Sequence, residues 1–285
     1  MDACSVAVIG HGEAGSLIAG GLAKRGFDVT AYDPAPPEAP TVALSASLQE
    51  AVADADIVLS INSSTVATRV AEQIAPHLKP NAIYADLNTG TPALKERLAT
   101  LVPEGSFVDV AVMKPVPGLA ELVPMAVAGP AAQRLIDRLA PAGLQLEYVS
   151  EQVGQAAARK LTRSILAKCM AGVVIDFMWA ADAMGLTDWA YQELLNEFDS
   201  ISSATAKRYL AGTVTHVKRR EIEMLDVVEM LEHAEYHSMF VPPTQLVYNR
   251  IYHSIKVPFG TTSEQEQFGQ QGTPPAPTSS PDAGW

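Results

Sequence analysis

The chain has 285 residues, enough for two domains of ordinary size. Its 32 Asp and Glu against 20 Lys and Arg leave a net charge of −12, which argues against a surface built to track nucleic-acid phosphates. Hydrophobic residues at 48% with 18% charged describe a folded globular chain, and two cysteines, Cys4 and Cys169, exclude a disulfide scaffold and fit a reducing, cytoplasmic setting.

At the N-terminus no basic segment precedes an apolar run, so no signal peptide is expected. Strand-like apolar runs then occur at Ser5–Ile9, Asp28–Tyr32, Ile57–Ile61, Ala82–Ala85, Phe107–Val112, Met125–Ala128 and Leu144–Val149. Between them Glu13–Arg25, Thr65–His77, Pro92–Leu101 and Ala131–Leu139 carry helical spacing. Such alternation predicts an α/β domain with a doubly wound, mostly parallel sheet covered by helices on both faces.

From Ser150 onward almost nothing reads as strand. Ser150 is a candidate N-cap for a long helix from Glu151 to about Ala183, weakened by Gly154 and Gly172. The longest apolar run inside it, Leu166–Ala181, is interrupted by Lys168 and Asp176 and is expected to be too short to span a bilayer. Gly185 ends this helix, and further helices are predicted at Thr187–Leu210, Thr213–Glu232 and Pro243–Ile255. The expected organisation is therefore residues 1–150 as the α/β domain, 151–259 as an all-α domain entered through one long helix, and 260–285 as a disordered tail. That tail is rich in Pro, Gly, Ser, Thr and Gln, with Trp285 alternatively an arm for a partner subunit.

The segment Gly10-His11-Gly12-Glu13-Ala14-Gly15 is a G-x-G-x-x-G between a strand and a helix, the context that gives this pattern its meaning. Gly10 permits the tight turn, Gly12 lets a pyrophosphate approach the backbone, and Gly15 lets the helix pack on the strand. The helix start adds free N–H groups and a positive dipole end for phosphates. Asp33 closes the second strand, where a carboxylate accepts hydrogen bonds from a ribose 2′-OH and repels a 2′-phosphate. Pro34-Ala35-Pro36-Pro37-Glu38 follows with no Lys or Arg, so NAD is expected in preference to NADP. Glu13, a carboxylate inside the turn, has to point to solvent for a pyrophosphate to fit.

These features, with three further motifs, resemble the β-hydroxyacid dehydrogenase family of the 6-phosphogluconate dehydrogenase superfamily over about residues 4–256. The resemblance implies an N-terminal Rossmann domain, a long inter-domain helix and an all-α C-terminal domain. Asp86-Leu87-Asn88-Thr89-Gly90-Thr91-Pro92 is similar to the family's D-x-S-T-x-x-P loop near the nicotinamide, with Asn88 in place of Ser; Asn62 and Ser63 resemble its ribose neighbours. Asp109-Val110-Ala111-Val112-Met113-Lys114-Pro115 departs from the family's D-x-P-V-S-G-G substrate loop. Met113 replaces the Ser that binds a substrate carboxylate, which implies a more apolar substrate, with Lys114 either an anion partner or a solvated lysine.

Gly154-Gln155-Ala156-Ala157-Ala158-Arg159-Lys160 is similar to the helix start that leads to the family's catalytic Lys, and Lys160 is the residue so implied. Where the family usually places Asn one turn later, this chain has Ser164 beside Arg163, both able to meet the ligand that Lys160 meets. The implied activity is hydride transfer between a nicotinamide cofactor and a β-hydroxy acid or related compound, with Lys160 as general acid and base. Burial, or the adjacent Arg159 and Arg163, would lower its pKa as needed. An imine reductase on the same architecture, with Asp176 as a possible acid, and a non-catalytic NAD-binding module stand as alternatives.

Other groups carry less. His233 and His237, with Glu232 or Glu235, have helical i, i+4 spacing for zinc but no third ligand, so no metal is expected. His216-Val-Lys-Arg-Arg220 is a solvated face or the border of a cleft. Met170, Phe177, Met178 and Trp179 read as core or subunit packing, and a homodimer with no membrane or nucleic-acid partner is expected.

Overall fold

A computed structural model describes residues 4–253. The tail expected over 260–285, Trp285 and the last residues of the predicted Pro243–Ile255 helix lie outside the described residues.

The N-terminal elements run β1 (Ser5–Ile9), α1 (Glu13–Lys24), β2 (Asp28–Tyr32), β3 (Ala43–Leu44), α2 (Leu48–Ala53), β4 (Ile57–Ser60), α3 (Ala67–Ile74), β5 (Ile83–Asp86), α4 (Pro92–Ala99), β6 (Phe107–Val112), β7 (Met125–Ala128), α5 (Ala132–Leu139) and β8 (Leu146–Ser150). The strands form one sheet in the order β3-β2-β1-β4-β5-β6-β7-β8. All neighbours are parallel except β6 and β7. Between β6 and β7 the chain carries only a short 3₁₀ turn, Ala120–Leu122, and without a crossover helix the returning strand has to run antiparallel.

Residues of β1 alternate between two cores. Val6 and Val8 join Ile18 and Leu22 of α1 on one face, while Ala7 and Ile9 join Val58 and Tyr84 on the other. The period of two thus gives each face of the strand its own set of buried side chains. The sheet is the doubly wound Rossmann-like arrangement expected from the sequence. Its strand order reverses between β1 and β4, where such sheets open a crevice at the carboxyl ends of their strands.

Two small elements escape the apolar pattern. β3 is two residues long, and α2 is six. For α2 a signal existed: Ser47 accepts the Glu50 N–H at 3.1 Å, and Glu50 Oε2 accepts the Ala46 N–H at 3.0 Å. This is a helix-start pattern of the capping-box kind, legible as Ser-x-x-Glu.

The helical part comprises α6 (Gln155–Ala183), α7 (Thr187–Ser200), α8 (Ser203–His233) and α9 (Val241–His253). Ser150 does not cap α6; it ends β8, and Gly154, at φ +91°, lies in the turn before the helix rather than inside it. Gly172 is within α6, and a methyl group there would meet the Phe240 ring at 2.6 Å, so its absence lets that ring pack. The break predicted near Gly212 is present as a kink at His216, whose φ of −120° and ψ of 22° are non-helical, while α8 as a whole runs on across it. The chain also breaks at Ile201–Ser202, which the sequence reading did not mark and where Ser202 and Thr205 form a capping box.

Contacts divide the chain into two compact units that part between Leu166 and Ala167, inside α6 rather than at its start. Within the 29 residues of α6 an 18-residue window reaches a mean hydropathy of 1.6, so by length and composition alone this helix is apolar enough to cross a membrane, a test that core helices also pass. Its first turn is nevertheless buried against the sheet through Ala156 and Ala157, the former packed with Ala111, Ala126 and Ala128.

Candidate active site

The glycine turn follows directly from β1. Gly10 takes φ +104°, and a Cβ on it would sit 2.1 Å from the Ile61 carbonyl oxygen. A Cβ on Gly15 would lie 1.9 Å from the Gly10 carbonyl oxygen, whereas one on Gly12 would meet nothing within 4 Å. Two glycines are thus closed in by backbone and the middle one faces open space. Gly12 caps α1 without any side-chain hydrogen bond, which leaves the helix's first N–H groups to a ligand. Glu13 is exposed, Ala14 is half-buried, and neither side chain obstructs the turn.

Beside this turn opens a cleft of about 630 Å³ walled by Gly10, Gly12, Asp33, Asn62, Ser63 and, from α3, Arg69. Asp33 Oδ2 accepts the His11 N–H at 2.7 Å and Oδ1 the Ala35 N–H at 2.9 Å, so the carboxylate braces the turn as well as facing the cleft. His11 serves through its backbone. Its ring is buried with Nε2 3.3 Å from Thr41 Oγ1, and burial holds its pKa below the ordinary histidine value, leaving it neutral. Arg69 is a cleft residue that the sequence reading missed, because it belongs to a helix face and not to the motif.

A buried polar chain runs from this cleft along the strand ends. The Asn62 N–H donates to Asn88 Oδ1 at 2.7 Å, and Asn88 Nδ2 donates to Asp86 Oδ1 at 2.5 Å. Asn88, standing where the family has Ser, is therefore a brace between loops. Thr89 lines a separate shallow depression of about 370 Å³ with Thr65, Thr91 and Leu161. Lys95 of α4, only 1% exposed, places Nζ 2.6 Å from Asp86 Oδ2, 2.8 Å from the Asp86 carbonyl oxygen and 3.3 Å from Asp109 Oδ1. Asp109 Oδ2 in turn accepts the Ala157 N–H at 2.9 Å, tying β6 to the first turn of α6. Burial pushes the Asp86 carboxyl above its ordinary value against the pull of Lys95.

Lys160 follows one turn later. It is half-buried and has no ion pair among the described residues. Burial first, and then the Lys95 ammonium, hold its pKa below the ordinary lysine value, while Asp109 opposes them. The cation acting on Lys160 is therefore Lys95 and not Arg159 or Arg163 as the sequence suggested. Arg159 pairs with Glu147 at 2.6 Å, and Arg163 Nη1 donates to the Met113 carbonyl at 2.7 Å. Met113 is half-buried, Lys114 is exposed, and Ser164 is half-buried on the same helix.

The helical unit holds an apolar cavity of about 540 Å³ lined by Phe177, Trp189, Met230 and Phe240, with Asp176 in its wall. Burial alone would raise the Asp176 pKa, but Ser238 Oγ at 2.5 Å, Tyr236 OH at 2.7 Å and the Met239 N–H at 3.1 Å hold it below the ordinary carboxylate value. Such an anion is a poor proton donor, and its work is to pin the α8–α9 connection. Asp176→Asn is expected to lower unfolding stability by about 2–3 kcal/mol, since at least one donor loses its acceptor in a buried site. Because the folded pKa lies below the unfolded one, this contribution is complete above about pH 5 and fades as pH falls through the carboxylate range. Denaturant unfolding of both proteins at pH 7 and pH 3 checks both statements.

Zinc spacing at His233 and His237 does not survive, because α8 ends at His233, whose Nδ1 bonds the Glu229 carbonyl. Among the described residues no group of three or more His, Cys, Asp or Glu side chains is placed to hold a metal. The basic run is locally engaged: Arg219 pairs with Glu223, Arg220 bonds Thr213, and Lys218 lies 5.9 Å from the centre of the Tyr252 ring.

Sheet, turn and Asp33 together define a dinucleotide-binding Rossmann protein. Residues 5–120 match the NAD binding domain of 6-phosphogluconate dehydrogenase, which places the N-terminal unit in that domain family. A conserved hypothetical protein from Sinorhizobium meliloti 1021 is 30% identical, with a TM-score of 0.58 over 94% of this chain and 95% of that one. The fold is shared by an imine reductase from Myxococcus stipitatus in complex with NADP⁺, 16% identical with a TM-score of 0.70 over 86% of this chain and 93% of that one. It is shared too by 3-hydroxyisobutyrate dehydrogenase of Mycobacterium tuberculosis, 17% identical with a TM-score of 0.59 over 87% and 93% of the two chains. An NAD-binding domain is thus what the N-terminal unit is.

Proposed function

We propose that this chain is a nicotinamide-dependent oxidoreductase that transfers a hydride between NAD and a β-hydroxy acid or related hydroxy or keto compound, with Lys160 as general acid and base. The observation that carries this reading is Lys160 itself: a half-buried amine without an ion pair among the described residues, held below the ordinary lysine pKa and set one turn beyond the Asp109 anchor. An amine shifted in that direction holds and releases a proton nearer neutral pH than a solvated lysine does.

Gly10, Gly12, Gly15, Asp33, Asn62 and Ser63 would hold the cofactor, with Glu13 and Ala14 supplying backbone at the helix start and Thr89 lying alongside. The residues fit the group: a middle glycine open to space, uncapped helix N–H groups and a carboxylate share one cleft. When bound, the nicotinamide supplies the hydride acceptor or donor. Lys160 takes the substrate's hydroxyl proton in oxidation and returns one to the carbonyl oxygen in reduction. Met113, Lys114, Arg163 and Ser164 give the substrate side one apolar contact, two cations and a hydroxyl, which suits an anionic substrate with an apolar part.

Absorbance of the reduced nicotinamide, screened over β-hydroxy acids, keto acids and imines with NAD and NADP, tests the reading. Turnover of hydroxy or keto acids is expected; turnover of imines alone would overturn it in favour of an imine reductase, and binding without turnover in favour of a non-catalytic module. Asp33 is assigned the preference for NAD. Asp33→Asn keeps an acceptor for the His11 N–H but removes the charge that repels a 2′-phosphate. It is expected to shift the NAD-to-NADP ratio of kcat/KM toward NADP by about tenfold or more.

A homodimer belongs to the same proposal. The helical unit leaves Trp179, Trp189, Met239 and Leu246 more than half exposed, an apolar area that a single soluble chain rarely shows. Light scattering in detergent-free buffer is expected to give twice the chain mass.

A further inference from the structure

Lys95 stands inside α4, yet it is buried as completely as a core leucine. Lysines are almost never buried so fully unless paired, and removing two such ions from water costs several kcal/mol. Replacing a buried ion pair by apolar side chains of similar volume is often neutral or stabilising, so stability alone is a weak reason to keep one. The arrangement is also unbalanced: Asp86 and Asp109, both fully buried, face one ammonium.

The surplus points toward α6. One oxygen of Asp109 lies 3.3 Å from Lys95 Nζ, and the other accepts the Ala157 N–H at 2.9 Å. Ala157 and Lys160 are three residues apart and share a helix face. The charges that act on the Lys160 amine are those of Lys95 from α4 and Asp109 from β6, and Asp86 is held by Lys95. The two arginines of its own helix are turned to Glu147 and to the Met113 carbonyl.

We propose that Lys95 and Asp109 form a buried positioning couple for Lys160: Asp109 anchors the helical turn that carries the amine, and the two opposite charges set the field in which that amine gains or loses its proton. The idea rests on the acid–base reading of Lys160, but the couple can be tested without any substrate. Neutral amines react with acetic anhydride and ammonium groups do not, so the acetylation rate of Lys160 reports its neutral fraction. The rate is read on the full-length chain by mass spectrometry, with exposed Lys24 as internal standard.

Below the midpoint of the amine's titration, Lys95→Met removes a like charge and is expected to slow acetylation of Lys160 about threefold or more. Asp109→Asn removes an opposite charge, keeps an acceptor for the Ala157 N–H, and is expected to speed acetylation by a similar factor. Because Lys95→Met strands two carboxylates, Lys95→Met combined with Asp86→Asn preserves the net buried charge, and the same slowing is expected of it. Rates unchanged in the variants, or moved in one direction by all of them, overturn the couple. A merely structural role would loosen the site and raise reactivity in every variant. If Lys160→Met abolishes turnover while these rates stay flat, the couple fails and the acid–base reading stands. If the rates move oppositely but Lys160→Met retains turnover, the field is as described and the acid–base reading fails.

Discussion

Lys160→Met is expected to lower turnover by at least ~100-fold, the scale of a positioned proton-transfer group, while nicotinamide-cofactor affinity stays within about twofold. Methionine keeps the length and apolar stem of the side chain, so the packing of the α6 start on Ala111, Ala126 and Ala128 is preserved. The cofactor cleft, walled by the glycine turn, Asp33, Asn62 and Ser63, does not include this residue. In the oxidation direction the native rate should rise with pH through the Lys160 pKa, because the neutral amine is the base. In reduction it should fall across the same range, because the ammonium is the acid. Both limbs lie below the range of a solvated lysine, since burial and Lys95 favour the neutral form. Steady-state rates against pH, with fluorescence titration of the reduced cofactor, separate the chemistry from binding; near-normal turnover in the variant would refute the role.

The second large effect is in the glycine turn. Gly10→Ala places a methyl group 2.1 Å from the Ile61 carbonyl oxygen at a backbone φ of +104°, and both neighbours are main chain that cannot rotate aside. A loss of about 2–4 kcal/mol in stability is expected from strain and overlap together. Cofactor binding should be lost with it. Gly12→Ala is the informative partner. Its φ of −73° suits any residue and its Cβ has nothing within 4 Å, so the melting temperature should be unchanged. Affinity for NAD should still fall at least ~10-fold, because the methyl group would occupy the approach of the pyrophosphate. Calorimetric melting with and without NAD distinguishes the two: a destabilised Gly12→Ala, or an unaffected Gly10→Ala, would contradict the turn as described.

Much of the sheet was legible because its signals are local. Four strands, β1, β2, β6 and β7, match the apolar runs read from the sequence end to end, β4, β5 and β8 overlap theirs, and the glycine turn lies between β1 and α1 as its spacing requires. Helix ends were less legible. The break marked by Gly212 is only a kink at His216, the Ser202–Thr205 capping box adds a helix start that the apolar pattern did not show, and the turn holding Gly154 delayed the start of α6. The candidate site residues divide in the same way. Those named by motif, from Gly10 to Lys160, could be found by reading along the chain, but Arg69 and Lys95 sit in ordinary helical segments and carry no local mark.

The sequence by itself determined what depends on near neighbours: the alternation of strand and helix, a turn that only glycine can make, and a carboxylate at the end of β2. Tertiary structure alone decided which charges meet. Asp86 and Asp109 come from strands β5 and β6, Lys95 from the flanking helix α4 and Ala157 from the start of α6, and burial turns their proximity into a strong field by excluding water. The same packing diverts Arg159 and Arg163 to other partners and hands their expected influence on Lys160 to Lys95. Long-range contact of this kind has no periodicity along the chain, and for that reason Lys95, which no motif marks, is found buried between Asp86 and Asp109.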